Sequence, residues 1–222
     1  MSHTIALVGG TGPEGRGLAT RFALAGHTVI LGSREATRGQ ESGAELAASL
    51  GDAGARVSGT DNETAVRDAD LVVVVVPYTA HRPTLEGLRD ALAGKIVIDA
   101  VVPVRFEKGP RPIEVEAGSA TEEAAAILAD STVIGAFHNL PAEVLLDPSA
   151  QLVSDILVTG GNGEAKDAVM ALANQIEGCR AVDAGPLRFS RFVEGLTTLI
   201  IGINGRYKAH GSIKITGIDG AH

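Results

Sequence analysis

Short runs of aliphatic and β-branched residues recur along the chain, at 5–8, 28–31, 71–76, 95–101, 132–137 and 156–159, with weaker runs at 56–58 and 180–182. The run from Leu71 to Val76 has no polar alternation, which predicts a strand buried on both faces, as in a parallel sheet. Between the runs lie Ala-rich stretches with apolar residues at helical spacing, at 15–25, 40–50, 84–92, 121–128 and 164–176. Strands alternating with helices predict an α/β fold, with a Rossmann-type doubly wound, mostly parallel sheet. The segment 103–118, with three prolines and mixed charge, predicts a long surface loop beside a site. Beyond about residue 185 the pattern changes. Over 190–205, Phe192, Leu196, Leu199 and Ile203 fall on one stripe, with Val193 and Ile200 beside it. That predicts one amphipathic helix too apolar to stand alone. It either caps the sheet or packs against a second subunit, and a homodimer is expected.

Composition sharpens this picture. With 222 residues and 45% apolar content, one large domain with a sizeable core is expected. The formal charge of −8 argues against nucleic acid or an anionic membrane surface as partner. No apolar run approaches the ~20 residues that cross a bilayer. The first residues show no secretory pattern, and a single cysteine, Cys179, makes no internal disulfide, so the expected location is cytoplasmic. The charge is unevenly spread: residues 180–222 hold six Lys/Arg against three acids, on an otherwise acidic body.

The first apolar run leads into Gly9-Gly-Thr-Gly-Pro-Glu-Gly15, and a helical stretch follows. Gly10, Gly12 and Gly15 fit GxGxxG, whose glycines serve a tight turn, close approach to a pyrophosphate, and helix–strand packing. Pro13 suits the first helical turn, and the helix N-terminus offers N–H groups to the anion. At the end of the second run, where an NAD site carries an acid, stand Ser33 and Arg34, with Arg38 four residues on. A hydroxyl and two guanidiniums suit a 2′-phosphate, so NADP is the expected dinucleotide. The chain then divides into an NADP-binding domain over 1–185 and a C-terminal helix with basic tail over 186–222.

Acid–base machinery is sparse. Neither Tyr78 nor Tyr207 has a lysine four residues on, so the YxxxK pattern is absent. His81 and His138 follow strand ends, and no His, Cys or carboxylate spacing suggests a metal. A dinucleotide site without an obvious acid suits hydride exchange between two cofactors.

The stretches Gly9-Gly-Thr-Gly12, Gly32-Ser-Arg34, Phe137-His-Asn-Leu-Pro-Ala142, Asp183-Ala-Gly-Pro-Leu187 and Ser190-Arg-Phe-Val-Glu-Gly-Leu-Thr197 resemble the NADPH-dependent coenzyme F-420 reductases. The resemblance runs in order through the whole chain, and its two C-terminal motifs are the more specific. It implies reversible hydride transfer between NADP(H) and coenzyme F-420 (F420, an 8-hydroxy-5-deazaflavin) as co-substrate. By resemblance, Thr11, Gly12, Pro13 and Glu14 line the pyrophosphate, and Ser33, Arg34 and Arg38 the 2′-phosphate. Tyr78, Arg82 and Val104 fall where the family contacts ribose and nicotinamide. Arg191 and Thr197 match positions near the deazaflavin, and His138 one beside the reaction cavity. The basic C-terminal segment suits the phosphodiester and carboxylates of F420. Two other readings remain: an NADP-dependent imine or pyrroline reductase, which usually carries a longer helical C-terminal domain, and a non-catalytic NADP(H)-sensing module.

Overall fold

In the computed structural model, residues 2–161 and 163–218 are described. The chain runs through β1 (Thr4–Val8), α1 (Pro13–Leu24), β2 (Thr28–Ser33), α2 (Ala36–Ser49), β3 (Val57–Asp61), α3 (Asn62–Asp68) and β4 (Leu71–Val74). There follow α4 (Tyr78–Leu92), β5 (Ile96–Asp99), β6 (Val104–Phe106), β7 (Pro110–Pro112), α5 (Ala120–Ile127) and β8 (Thr132–Gly135). The last elements are α6 (Ala142–Leu146), β9 (Ser154–Val158), α7 (Glu164–Asn174), β10 (Cys179–Asp183) and α8 (Ser190–Tyr207).

Six strands form a parallel sheet in the order β3-β2-β1-β4-β5-β8. Side chains alternate across it, as the strand period of two requires. Leu7, Val73, Ile98 and Ile134 pack with Leu18 and Phe22 of α1, Leu145 of α6 and Leu172 of α7. Ala6, Val8, Val72 and Val74 pack on the other face with Val66 of α3, Leu85 and Leu88 of α4 and Ala124 of α5. Both faces are therefore covered, and all four residues of β4 are buried, as its unbroken valine run implies. A separate parallel pair, β9 with β10, joins the main sheet through an antiparallel bridge from Gly135 to Thr159.

Several local expectations change. The expected loop 103–118 contains the β6–β7 hairpin, turned by Lys108 and Gly109 at positive φ and holding Pro110 and Pro112 where a missing N–H does little harm. The fourth helix begins at Tyr78, six residues before the expected start, and carries Pro83 inside it. Helix α3 was not expected; Asp61 caps it by accepting from the Thr64 N–H at 2.9 Å.

Two long-range fasteners shape the ground beside β8. Arg21 of α1 is buried, and its guanidinium donates to the carbonyls of Val144, Leu145, Asp147 and Ala150, holding α6 against α1. Beyond α8 the chain folds back on β9: Asp155 N–H donates to Ile213 O, and Ile215 N–H donates to the Asp155 carboxylate. Arg180 and Lys214 pair with the same buried carboxylate. Residues 219–222 of the expected basic tail lie outside the described residues.

Candidate functional site

Strand β1 has β2 on one side and β4 on the other, so the strand order reverses between β1 and β4. Open α/β sheets bind ligands at this reversal, outside the carboxyl ends of the strands. A cleft of about 740 Å³ opens there. The glycine loop forms its floor. Gly9 needs its positive φ of 75° and donates its N–H to Asn62 Oδ1 at 3.1 Å. A Cβ on Gly10 would lie 2.8 Å from Leu7, so Gly10 sits beneath the cleft rather than in its wall. A Cβ on Gly12 would meet nothing within 4 Å, which leaves room for an anion at the start of α1.

The cleft gathers Thr11, Gly12, Pro13, Glu14, Ser33, Arg34, Arg38, His138 and Thr197. Arg34 and Arg38 are exposed on its wall, and among the described residues neither has a carboxylate partner. Two unneutralised guanidiniums beside a glycine cradle fit the 2′-phosphate and pyrophosphate of NADP. On the opposite half lie Val75, Val76, Pro77, Ala100 and Val102 with His138 and Asn139. That patch is apolar enough to take a nicotinamide. Ile200, Ile201 and Asn204 of α8 form the far wall, and Gly211 of the returning tail completes it.

The site holds polar atoms that nothing satisfies. Glu14 Oε1, Asn139 Oδ1 and both ring nitrogens of His138 are buried without a hydrogen-bond partner among the described residues. Buried polar atoms are ordinarily paired, so such a group at a cleft marks a place for a ligand or water. Burial pushes the Glu14 carboxyl up to about 8. It pushes His138 down to about 4, against the pull of Asp99, so the imidazole is neutral near pH 7. Thr197 is buried and donates to Val193 O at 3.0 Å within its own helix, which leaves its oxygen free to accept.

The other expected residues are placed elsewhere. Arg191 pairs with Glu122 at 3.3 Å and borders a separate cavity of about 70 Å³, with Pro103 and Glu194. Arg82 is held by Glu123 and Glu86 on the outer side of α4. Tyr78 stacks on His81, whose ring bridges Asp99 at 2.7 Å and Glu123 at 3.0 Å. Burial opposes the charged imidazole, but these two carboxylates outweigh it and raise His81 above its ordinary value. Val104 begins the hairpin, and Val102 stands in the cleft instead. Of the six basic residues expected to greet an anionic ligand, Arg180, Arg191 and Lys214 are already in internal ion pairs. Sequence reasoning did not find Asn62, Thr79, Asn204 or Gly211. Asn62 had a signal in its place after the capping Asp61; Gly211 had none.

Comparison with known proteins bears on this cleft. Residues 4–103 match the family "NADP oxidoreductase coenzyme F420-dependent". The F420-dependent NADP reductase of Methanocaldococcus jannaschii is 38% identical over 221 residues, covering 97% of this chain and 99% of its own. A crystal structure from Arthrobacter sp. FB24, described as an F420-dependent NADP reductase, superposes with a TM-score of 0.82 at 23% identity, over 97% of this chain and 100% of its own. A pyrroline-5-carboxylate reductase from Coxiella burnetii shares the fold at a TM-score of 0.62 and 16% identity, but only 67% of its length is covered.

Proposed function

The chain belongs to the F420-dependent NADP reductase family and transfers hydride between NADP(H) and coenzyme F420, and on that footing we propose how its residues hold the two molecules. Arg34, Arg38 and Ser33 take the 2′-phosphate, and the loop from Thr11 to Pro13 takes the pyrophosphate at the α1 N-terminus. The observation that carries this is the pair of unneutralised guanidiniums in the same cleft as the open face of Gly12. The nicotinamide lies over Val75–Pro77 and Val102, and the deazaflavin enters between it and α8.

NADPH supplies the hydride from its C4, and C5 of the deazaflavin receives it. The protein's part is mostly orientation, which holds reacting atoms at about 3–3.5 Å. Thr197 offers a hydroxyl oxygen to the ring edge, and Ile200 and Ile201 exclude water from that side. His138 serves as a neutral hydrogen-bonding group. Arg191, off the main cleft, reaches the F420 tail only by exchanging Glu122 for an anionic group. Mixing the protein with NADPH and F420 should bleach the oxidised deazaflavin absorbance. No change with NADPH, together with bleaching by NADH, would refute the dinucleotide assignment.

The segment from 186 onward is the deazaflavin-side and dimerisation segment of this proposal. Phe192, Leu199, Ile203 and Tyr207 follow one stripe of α8 and are all exposed. A second copy covering that stripe would remove a continuous apolar surface from water. No helix among the described residues is long and apolar enough to cross a membrane. A cytoplasmic setting accords with a single cysteine, Cys179, that makes no internal disulfide.

A further inference from the structure

Glu14 lies on the stripe of α1 that faces α6, one turn before Gly17, where a Cβ would lie 2.6 Å from Leu145, and two turns before Arg21, which binds the α6 carbonyls. Arg16 faces the other way and pairs with Glu45 of α2. Helix α2 follows β2 and the phosphate-binding arginines, whereas α6 follows β8 on the opposite half of the sheet. The Glu14 carboxyl is therefore turned toward the half of the cleft proposed for the nicotinamide. There Oε1 is buried and unpartnered, in the same cleft as the almost fully buried His138 and Asn139, where both His138 ring nitrogens and Asn139 Oδ1 are also unpartnered.

Resting on the cofactor reading above, we propose that Glu14 borders the nicotinamide of bound NADP(H) and changes its protonation with the ring's charge: carboxylate against NADP⁺, carboxylic acid against NADPH. The balance is simple. Conversion of bound NADP⁺ to NADPH adds a hydride to C4 and cancels the ring's positive charge, and Glu14 takes one proton from solvent. The reverse reaction returns that proton.

Burial alone raises the Glu14 carboxyl to about 8, with no neighbouring charge contributing. The groups around it explain why. His138 is neutral, Arg21 is committed to α6 carbonyls, Arg16 is bound by Glu45, and Glu143 of α6 is exposed and paired with His210. The cleft faces of α8 and the Val75–Pro77 turn carry no titratable group. A pyridinium within ~4–6 Å lowers a carboxyl by about 1–3 units and leaves it ionised near neutral pH.

The test is equilibrium binding of NADP⁺ and of NADPH to the whole protein across pH. Going from about pH 6 to about pH 9, NADP⁺ should tighten relative to NADPH by roughly tenfold or more. The 2′-phosphate titrates equally in both nucleotides and cancels in the ratio, and His138 titrates below that window. Near neutral pH, calorimetry in buffers of different ionisation enthalpy should show more proton release on binding NADP⁺ than NADPH. E14Q copies the neutral acid in shape, so it should fold, bind both nucleotides, and give a ratio flat with pH. A flat ratio in the wild-type protein, or a slope that persists in E14Q, overturns the inference. A protein that bound neither nucleotide would overturn the cofactor reading as well.

Discussion

Replacement of Arg34 by alanine tests the dinucleotide assignment most directly. Arg34 and Arg38 reach the cleft from the end of β2 and the first turn of α2, and no carboxylate must be displaced before either meets a phosphate. A hydrogen bond to a charged group contributes about 1.5–3 kcal/mol, or roughly 10- to 150-fold in affinity. Both guanidiniums are solvent-exposed, so the lower half of that range is expected at physiological salt, where the screening length is about 8 Å. Arg34→Ala should weaken NADPH binding by roughly ten- to thirtyfold while leaving NADH unchanged, since NADH lacks the 2′-phosphate proposed as the partner of Arg34. Arg34→Lys should fall between, because it keeps the charge and loses the planar fork. Intrinsic nucleotide fluorescence gives both dissociation constants on the same protein. Equal losses for NADPH and NADH would refute the reasoning, since Arg34 would then act on a feature the two nucleotides share.

Arg21→Met should destabilise the protein, at about 1–3 kcal/mol for each buried carbonyl left without a donor; differential scanning calorimetry measures it, and a loss under ~1 kcal/mol in all would show that α6 is held by its apolar contacts alone. Burial works to raise the Asp155 carboxyl, but Arg180, the Ile215 N–H and Lys214 outweigh it and hold it at about 2. Because that value is depressed in the folded protein, its contribution is complete above the unfolded value of about 3.9 and is lost as pH falls through about 2. Asp155→Asn should release the returning tail at neutral pH, read as faster tryptic cleavage after Lys208 and Lys214; an unchanged rate would show that Asp155 does not fasten it. Phe192→Asp should give a monomer in sedimentation without loss of secondary structure, whereas a wild-type monomer at micromolar concentration would remove the dimer proposal.

What could be read from the chain depended on how far the decisive contacts reach. The valine run at 71–76 announced a doubly covered strand, because burial on both faces leaves no room for polar alternation. The glycine loop was equally legible, since turn, anion approach and helix packing all fall within seven residues. The position of Ser33 and Arg34 at the end of β2 followed by counting along one strand and loop. Element edges were harder where a local signal misled: Pro83 reads as a helix break, yet α4 runs through it on the strength of its packing.

The rest of the cleft was invisible along the chain. Arg191 carries the right charge for an anionic ligand, but Glu122, 69 residues away, takes it. By sequence Glu14 is one more residue of the glycine loop, and the burial of its carboxyl without a partner arises only in the fold. Gly211 reaches the wall because Asn204 of α8 holds it by two hydrogen bonds and Asp155 catches the tail beyond it. The sequence by itself determined the parallel sheet, the glycine loop between β1 and α1 and the place of Ser33 and Arg34 at the end of β2, each of which rests on neighbours a few residues apart. Only the tertiary structure decided which acid is buried, which arginine is already paired and which segment closes the site, because burial and charge pairing belong to residues that meet only once the chain has folded.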